Sequence, residues 1–277
     1  MRAVFVCYSG TGNTRRVCEA LMGELAARGH EAELVPLIRG EALPPLTAER
    51  IVFAFPVHAF RAPAPVLAAI GALPPSAGQT VFFVRTSGEP LALNHAAVLA
   101  PRRILQKKGY RVAGDLHYVM PYNIIFRHTD GMAARMWETV VRRLPADAAA
   151  IEAGSGRLPR VGLFGRAAAL AVRIEQPAMP LIGRGFSVSE DCVGCGACAA
   201  RCPERNIRME GGKPVFGGHC TGCMACAFFC PRDAVRTGIL NGWRVNGAYD
   251  LTAPPAEDKE VCRYCRKSYL RYFHSYE

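Results

Sequence analysis

The first half of the chain alternates short apolar runs with segments of helical periodicity. Five apolar runs predict strands at residues 3–7, 31–37, 51–57, 80–85 and 110–120. Between them, apolar positions spaced three and four apart predict helices over residues 13–28, 63–73, 94–108 and 131–144. Strands that alternate with helices are typical of a parallel sheet. Residues 1–153 are therefore predicted to form an α/β domain with a doubly wound, five-stranded parallel sheet.

The second half has a different organisation. Residues 154–185 are rich in Gly, Pro and Arg and predict a connector with a short helical pattern around residues 167–174. Residues 192–203 then resemble residues 220–231, with every cysteine offset by 28 positions, which indicates one structural unit used twice. A hairpin is predicted between the two runs, and residues 186–240 are expected to form a small module. Residues 241–277 predict an irregular tail.

Charge and composition narrow the class of protein. The 277 residues carry a net charge of +11, and 50% are hydrophobic. The positive net charge favours an acidic redox partner, and a basic surface that is only solvated is the alternative. No binding of nucleic acid is expected. Arg166, Arg173 and Arg184 interrupt the most apolar region, so no spanning helix is predicted, while peripheral membrane association stays open.

A loop rich in glycine and hydroxyl groups follows the first predicted strand and runs directly into a helix. Its residues are Ser9, Gly10, Thr11, Gly12, Asn13 and Thr14. Unpaired N–H groups at a helix N-terminus bind phosphate, and the hydroxyls add donors. The Gly-Lys-Ser/Thr ending of a nucleoside triphosphate loop is absent, and the spacing is not Gly-x-Gly-x-x-Gly. The loop predicts a monophosphate site, with an ordinary Gly-rich turn as the alternative.

This hexapeptide resembles the phosphate loop of the flavodoxin family. The resemblance implies that residues 9–14 hold the phosphate of FMN and that two later strand ends frame the flavin ring. The first strand end comprises Pro56, Val57, His58, Ala59 and Phe60; the second comprises Thr86, Ser87, Gly88 and Glu89. Either His58 or Phe60 is a candidate to stack on the ring. A protonated His58 would favour a negatively charged reduced flavin.

Eight of the twelve cysteines form two C-x-x-C-x-x-C-x-x-x-C-P runs. The ligands are Cys192, Cys195, Cys198 and Cys202 in the first run, and Cys220, Cys223, Cys226 and Cys230 in the second. This spacing is that of bacterial two-cluster ferredoxins, in which the fourth cysteine ligates the other cluster. It predicts two 4Fe-4S clusters, with zinc as the rival metal. The fourth cysteine of each run is expected to begin a helix.

The order of a flavodoxin-like domain, a connector with arginines and a dicluster module resembles bacterial flavodoxin/ferredoxin fusion proteins. Residues 120–123, Met-Pro-Tyr-Asn, add to that resemblance, which covers about residues 1–240. It implies an electron-transfer protein that relays electrons between the clusters and FMN. The alternatives are a flavin-dependent oxidoreductase acting on a small substrate and a sensor or docking subunit of a larger complex. Reduced thiolates and the lack of a signal peptide predict a cytoplasmic location.

The pair Cys262-x-x-Cys265 lies outside the repeat. Three interpretations stay open: reduced thiols, a metal site completed by another chain or distant residues, and a redox-active dithiol. The adjacent basic residues Arg263, Arg266 and Lys267 predict lowered thiol pKa values.

Overall fold

The computed structural model describes the whole chain, Met1–Glu277. Each of the five predicted strands is found, with ends shifted by one or two residues. The strands are β1 (Arg2–Cys7), β2 (Glu31–Pro36), β3 (Arg50–Pro56), β4 (Thr80–Ser87) and β5 (Arg111–Val119). The helices between and after them are α1 (Asn13–Ala27), α2 (Ala64–Ala72), α3 (Leu99–Lys107) and α4 (Asp130–Ala153).

All five strands are parallel and lie in the order β2-β1-β3-β4-β5. This is the strand order of flavodoxin-like doubly wound sheets, and it confirms the predicted fold class. The central strands β1, β3 and β4 are buried on both faces, which explains their nearly continuous apolar sequences. Because the strands are parallel, the loops after β1, β3 and β4 share one edge of the sheet. The strand order reverses between β1 and β3 at this edge.

Two apolar layers cover the faces of the sheet. On one face, α1 and α4 pack through Leu21 and Val140 onto Phe5 and Phe82. On the other, α2 and α3 cover a layer that contains Phe53 and Phe83. Because both faces are covered, the loops at the carboxyl ends of the strands are the exposed edge where a ligand can bind.

Two predicted helices differ in the structure. The helix predicted over residues 94–108 is divided into a 3-10 segment, Ala92–Val98, and α3. Helix α4 continues past its predicted end and contains Pro145. Pro145 removes one backbone hydrogen bond, but Ala148 and Ile151 beyond it are fully buried in the core. Tertiary packing therefore extends the helix beyond the point at which proline predicts its end.

The connector is more helical than predicted. It forms α5 (Leu163–Ala171), a 3-10 turn (Val172–Ile174) and α6 (Glu175–Arg184). Helix α5 packs against the 3-10 segment Ala92–Val98. No helix of the structure combines the length and apolar character needed to cross a membrane.

The small module contains two antiparallel strand pairs and two single-turn helices. Its elements are β6 (Ser187–Val188), α7 (Ala197–Ala200), β7 (Ile207–Glu210), β8 (Lys213–Phe216), α8 (Ala225–Phe228) and β9 (Val235–Arg236). Strands β7 and β8 form the predicted hairpin, and β6 pairs with β9. The two runs of cysteines thus occupy equivalent positions, each containing a short helix.

The tail is ordered, contrary to the irregular segment predicted. Helix α9 (Arg266–His274) buries Tyr269 and Phe273 against β5 and α4. The Tyr272 hydroxyl accepts a hydrogen bond from the N–H of Val119 at 3.2 Å. Aromatic residues at positions 269 and 273 lie on one face of a helix, and this spacing of four could have predicted α9.

Residues 243–249 link the small module to the sheet domain. The Asn246 amide donates to the carbonyl oxygens of Ala227 at 2.7 Å and Cys230 at 2.8 Å. On the other side, the N–H of Ile125 donates to the Trp243 carbonyl at 2.7 Å. This segment therefore holds the two parts of the molecule together.

Candidate functional site

A cavity of about 340 Å³ lies at the carboxyl ends of β1, β3, β4 and β5; we call it the loop cavity. It is lined by every residue of the three predicted loops except Gly12. These residues are Ser9, Gly10, Thr11, Asn13, Thr14, Pro56, Val57, His58, Ala59, Phe60, Thr86, Ser87, Gly88 and Glu89. Its size is within the range of small-molecule and cofactor sites.

The first predicted loop ends in a tight turn at the start of helix α1. Helix α1 begins at Asn13, and Gly12 precedes it with a positive φ of 97°, a conformation that glycine adopts without strain. The cavity therefore borders the N-terminus of a 15-residue helix, a position that can bind an anion. The buried Thr14 hydroxyl contacts the Thr86 hydroxyl at 2.7 Å, which ties this loop to the end of β4. Gly12 thus shapes the loop without lining the cavity.

The second loop turns sharply at its tip. His58 and Arg61 exchange two backbone hydrogen bonds of 3.0 and 2.9 Å. Ala59 and Phe60 between them both have positive φ, 44° and 60°. Non-glycine residues in this region are strained, and such strain concentrates at ligand sites. The turn presents Ala59 and Phe60 to the cavity.

His58 is neutral near pH 7. Burial lowers its pKa to about 4, although a hydrogen bond to the backbone of Thr221 acts in the opposite direction. The idea that a protonated His58 favours a negatively charged reduced flavin is therefore not supported near neutral pH.

The third predicted loop is fixed by a buried ion pair. The Arg85 guanidinium contacts both carboxylate oxygens of Asp115 at 2.6 Å and donates to the Asn94 carbonyl, also at 2.6 Å. The Asn94 amide in turn donates to the Glu89 carbonyl at 2.9 Å. Burial raises the pKa of Glu89. These contacts hold residues 86–89 in one arrangement at the cavity wall.

A fourth loop, after β5, also lines the cavity and was missed as a site. It contributes Met120, Pro121, Tyr122, Asn123, Ile124 and Ile125. The Tyr122 hydroxyl donates to the Glu89 carboxylate, and a Cβ on Gly88 would overlap the Tyr122 ring. Residues 120–123 follow a strand of the same parallel sheet, and that position is the signal that could have found them. The remaining lining residues come from other parts of the chain and are Asn94, Glu175, Gly222, Cys223, Trp243 and Tyr264.

Two small cavities of the module are each lined by four cysteines. The outer cysteine set is Cys192, Cys195, Cys198 and Cys230. The inner cysteine set is Cys202, Cys220, Cys223 and Cys226. Each set combines three cysteines of one run with the fourth cysteine of the other, which is the exchange expected of a two-cluster ferredoxin.

Backbone N–H groups donate to sulfur atoms in both cysteine sets. Asn206 donates to the Sγ of Cys202 at 3.4 Å, and Ala234 donates to the Sγ of Cys230 at 3.2 Å. Both of these cysteines follow the end of a short helix, so the expectation that they begin one is wrong. Burial raises the pKa of the Cys223 thiol to about 12, so binding of iron must displace its proton.

The inner cysteine set lies directly against the phosphate loop. A Cβ on Gly10 would lie 2.7 Å from the Cβ and 2.8 Å from the Sγ of Cys223. Cys223 also lines the loop cavity. The Tyr8 and Thr221 hydroxyls are 2.7 Å apart, and the Asn123 amide donates to the Cys223 carbonyl at 2.9 Å. Glycine at position 10 thus permits the close approach of the two sites.

Cys262 and Cys265 pack at the margin of the apolar cluster beneath α9. Burial raises the pKa of Cys262, which contradicts the lowering expected from the adjacent basic residues. Within this chain, no third His, Cys, Asp or Glu side chain joins Cys262 and Cys265 in a group that could hold a metal ion.

The double substitution Cys262→Ser/Cys265→Ser should leave the iron and flavin contents unchanged, because neither thiol belongs to the inner or outer cysteine set. Metal analysis and the flavin absorbance of the anaerobic protein measure both. Loss of about half the iron would show that one cysteine set is wrongly assigned.

Comparisons with known proteins give one family match and several similar solved structures. Residues 186–231 match a family model described as a 4Fe-4S dicluster domain. No curated protein matches the chain. Among solved structures, the chain is similar to a flavodoxin of Streptococcus pneumoniae TIGR4, with 16% identity, 55% of this chain and 99% of that chain covered, and a TM-score of 0.42.

Two further solved structures cover the same share of this chain, 55%. A cysteine-to-serine mutant of a Pseudomonas aeruginosa flavodoxin has 17% identity, 99% of its chain covered and a TM-score of 0.42. The rubredoxin oxygen:oxidoreductase of Desulfovibrio gigas has 14% identity, 36% of its chain covered and a TM-score of 0.38. The parallel strand order of the sheet is itself flavodoxin-like. The chain is therefore a fusion of a flavodoxin-like domain with a 4Fe-4S dicluster domain.

Proposed function

We propose that the protein relays electrons between two 4Fe-4S clusters and one FMN. A dicluster domain joined to a flavodoxin-like fold supports a redox role in general. The observation that carries the specific proposal is the contact between Gly10 of the phosphate loop and Cys223 of the inner cysteine set. When bound, each cluster would exchange one electron, and FMN would exchange one or two.

The lining residues support a proposed order of the three centres. Cys223 of the inner cysteine set lines the loop cavity, whereas no cysteine of the outer set does. In the outer set, Cys195 is exposed, and so is the neighbouring Val193. We therefore assign the inner cysteines to the cluster beside FMN and the outer cysteines to the cluster that meets an external partner.

The chain's own residues would keep the centres at a fixed separation. Tyr8 and Asn123 of the sheet domain bond to Thr221 and Cys223, which belong to the loop of the inner cysteine set. The N–H of Arg39 donates to the Pro203 carbonyl at 2.9 Å on the other side of this contact. A rigid junction raises the effective concentration of one centre at the other, so transfer need not await collision.

We propose functional units that do not coincide with a simple division of the chain into successive segments. We retain a flavodoxin-like domain over residues 1–153 and a dicluster domain over residues 186–240, with the connector 154–185 between them. Residues 241–277 act with both units, because residues 243–249 bridge them and α9 packs onto β5 and α4.

The Thr11→Ala and Thr14→Ala substitutions should weaken FMN binding about 10- to 100-fold, because a hydrogen bond to a charged group contributes about 1.5–3 kcal/mol. Thr14→Ser is the matched control, since it keeps the hydroxyl that contacts Thr86. Equilibrium dialysis of the flavin measures the effect, and iron content should stay constant. Undiminished FMN binding in both Ala variants would contradict the assignment of the phosphate site to this loop.

An external partner of acidic character fits the net charge of +11. Association with such a partner should slow as salt rises above about 0.1 M, where the screening length is about 10 Å.

We propose the cytoplasm as the location, because eight cluster thiolates must be kept reduced.

A second candidate function is the reduction of a small substrate. It is favoured by a groove of about 1230 Å³ between residues 37–47, α2 and the Cys220 loop. The groove has many apolar lining residues and reaches a cysteine of the inner set. Steady-state turnover with isolated small acceptors separates this candidate from a pure carrier, which would reduce them slowly and without saturation.

A further inference from the structure

Helices α5 and α6 are apolar on two opposite faces. Their inner face packs closely on the rest of the protein through small or flexible residues. Gly165 and Ala169 are buried in α5, and Met179 and Gly183 are buried in α6. Gly183 lies against Cys220, so a Cβ there would overlap that side chain. This face accounts for the attachment of the helices to the dicluster domain and the sheet domain.

The opposite face is exposed and has an unusual sequence for a solvated surface. Its large side chains are Leu163, Phe164, Leu170, Ile174 and Leu181, with exposures of 85%, 77%, 59%, 73% and 69%; we call these the outer stripe. Helices at a protein surface normally direct polar residues outward. Large apolar side chains this exposed and this close along two successive helices indicate an interaction site.

Basic side chains flank the outer stripe. Arg160, Arg166, Arg173 and Arg184 are all exposed, and none of them belongs to an ion pair of the chain. Residues 151–185 contain only two acidic side chains, Glu152 and Glu175. Glu152 is engaged by Arg28 and His30, and burial raises the pKa of Glu175. The flanks of the stripe are therefore positively charged.

We propose that the outer stripe binds the surface of an anionic lipid bilayer. Exposed leucine, isoleucine and phenylalanine side chains beside unpaired arginines are the two features of a helix that lies in the membrane interface. Each arginine near an anionic surface adds to binding, and the apolar side chains enter the boundary between head groups and acyl chains. The charge complementarity favours anionic lipid over an uncharged membrane.

The proposed orientation has a consequence for the redox site. Glu175, next to the exposed Ile174, lines the rim of the loop cavity together with Trp243. Trp243 is 56% exposed, and tryptophan is enriched at membrane interfaces. One wall of the loop cavity thus adjoins the proposed lipid-binding surface.

Co-sedimentation of the complete, cofactor-loaded protein with vesicles tests the proposal. Vesicles of phosphatidylcholine mixed with phosphatidylglycerol should bind the protein, and pure phosphatidylcholine should bind it much less. Leu170→Ser/Ile174→Ser should weaken binding to the anionic vesicles about 100-fold. Arg166→Gln/Arg173→Gln should weaken it about 30-fold.

The matched control is Val141→Ser/Arg142→Gln on α4, which removes an exposed apolar and a basic side chain far along the chain from the stripe. It should bind like the unaltered protein, and unchanged iron and flavin contents establish that all variants are folded. Equal binding to both kinds of vesicle, or binding to neither, would overturn the proposal. So would a dimer seen by light scattering that the Leu170→Ser/Ile174→Ser variant abolishes, because a second copy would then occupy the stripe.

Discussion

Replacing Cys202 with Ala is expected to lower the iron content from about eight to about four atoms per chain, with FMN retained. Cys202 lies in the first run of cysteines, yet it lines the cavity formed by Cys220, Cys223 and Cys226. The variant should therefore lose the cluster beside the loop cavity and keep the cluster of the outer set. Anaerobic iron and sulfide analysis measures the content, and electron paramagnetic resonance of the reduced protein identifies the remaining cluster.

The matched variant is Cys230→Ala, which removes one ligand of the outer set. It should also retain about four irons, but its remaining cluster is the one beside FMN. Electron exchange with FMN inside one molecule should thus persist in Cys230→Ala and be lost in Cys202→Ala. If the two variants behaved in the reverse way, each fourth cysteine would serve its own run, and the assignment of the sets would be wrong.

The Gly10→Ala substitution should disturb both sites through a single methyl group. The new Cβ would lie 2.7 Å from the Cβ of Cys223, so either the phosphate loop or the cysteine loop must move. Overpacking of this kind destabilises by about 1–3 kcal/mol. We expect weaker FMN binding together with a changed spectrum of the inner cluster, measured by dialysis and by electron paramagnetic resonance.

Gly23→Ala is the control for Gly10→Ala, because it makes the same change inside α1, where the new Cβ would meet no atom within 4 Å apart from the backbone of its own helix. It should leave both cofactors unaltered and stabilise the helix by about 0.5–1 kcal/mol. An unaltered inner cluster in Gly10→Ala would indicate that the two loops are not in contact in solution.

The sheet could be predicted because its strands are buried on both faces. β1, β3 and β4 have few polar residues, so their positions are visible as apolar runs. The three loops that follow these strands were predicted as a site for the same reason, since parallel strands bring their carboxyl ends to one edge. Of the predicted loop residues, only Gly12 lies outside the cavity lining.

Contacts between distant segments could not be predicted from local patterns. Trp243 and Tyr264 reach the loop cavity because residues 243–249 and α9 fold back onto the sheet domain, and no periodicity in the tail specifies that path. The position of Pro145 predicts a helix end, but packing of Ile151 overrides it. The pKa of Cys262 likewise depends on burial by α9, which outweighs the nearby basic residues visible in the sequence.

The close contact between the inner cysteine set and the phosphate loop was also invisible in the sequence. Gly10 and Cys223 are separated by more than two hundred residues, and each is explained locally, one by a tight loop and the other by a cluster motif. Their juxtaposition depends on pairs such as Tyr8 with Thr221 and Asn123 with Cys223. The structure thus adds to the motifs the contact on which the proposed order of the redox centres rests.

Flash photoreduction of FMN in the anaerobic, fully loaded protein tests the relay most directly. The flavin and cluster absorbance bands are followed after the flash at several protein concentrations. Because the inner cysteine set contacts the phosphate loop, reoxidation of the flavin with reduction of a cluster should be a first-order process with a rate independent of protein concentration. A rate that rises in proportion to protein concentration would mean that electrons pass between molecules, and it would contradict the proposed internal relay.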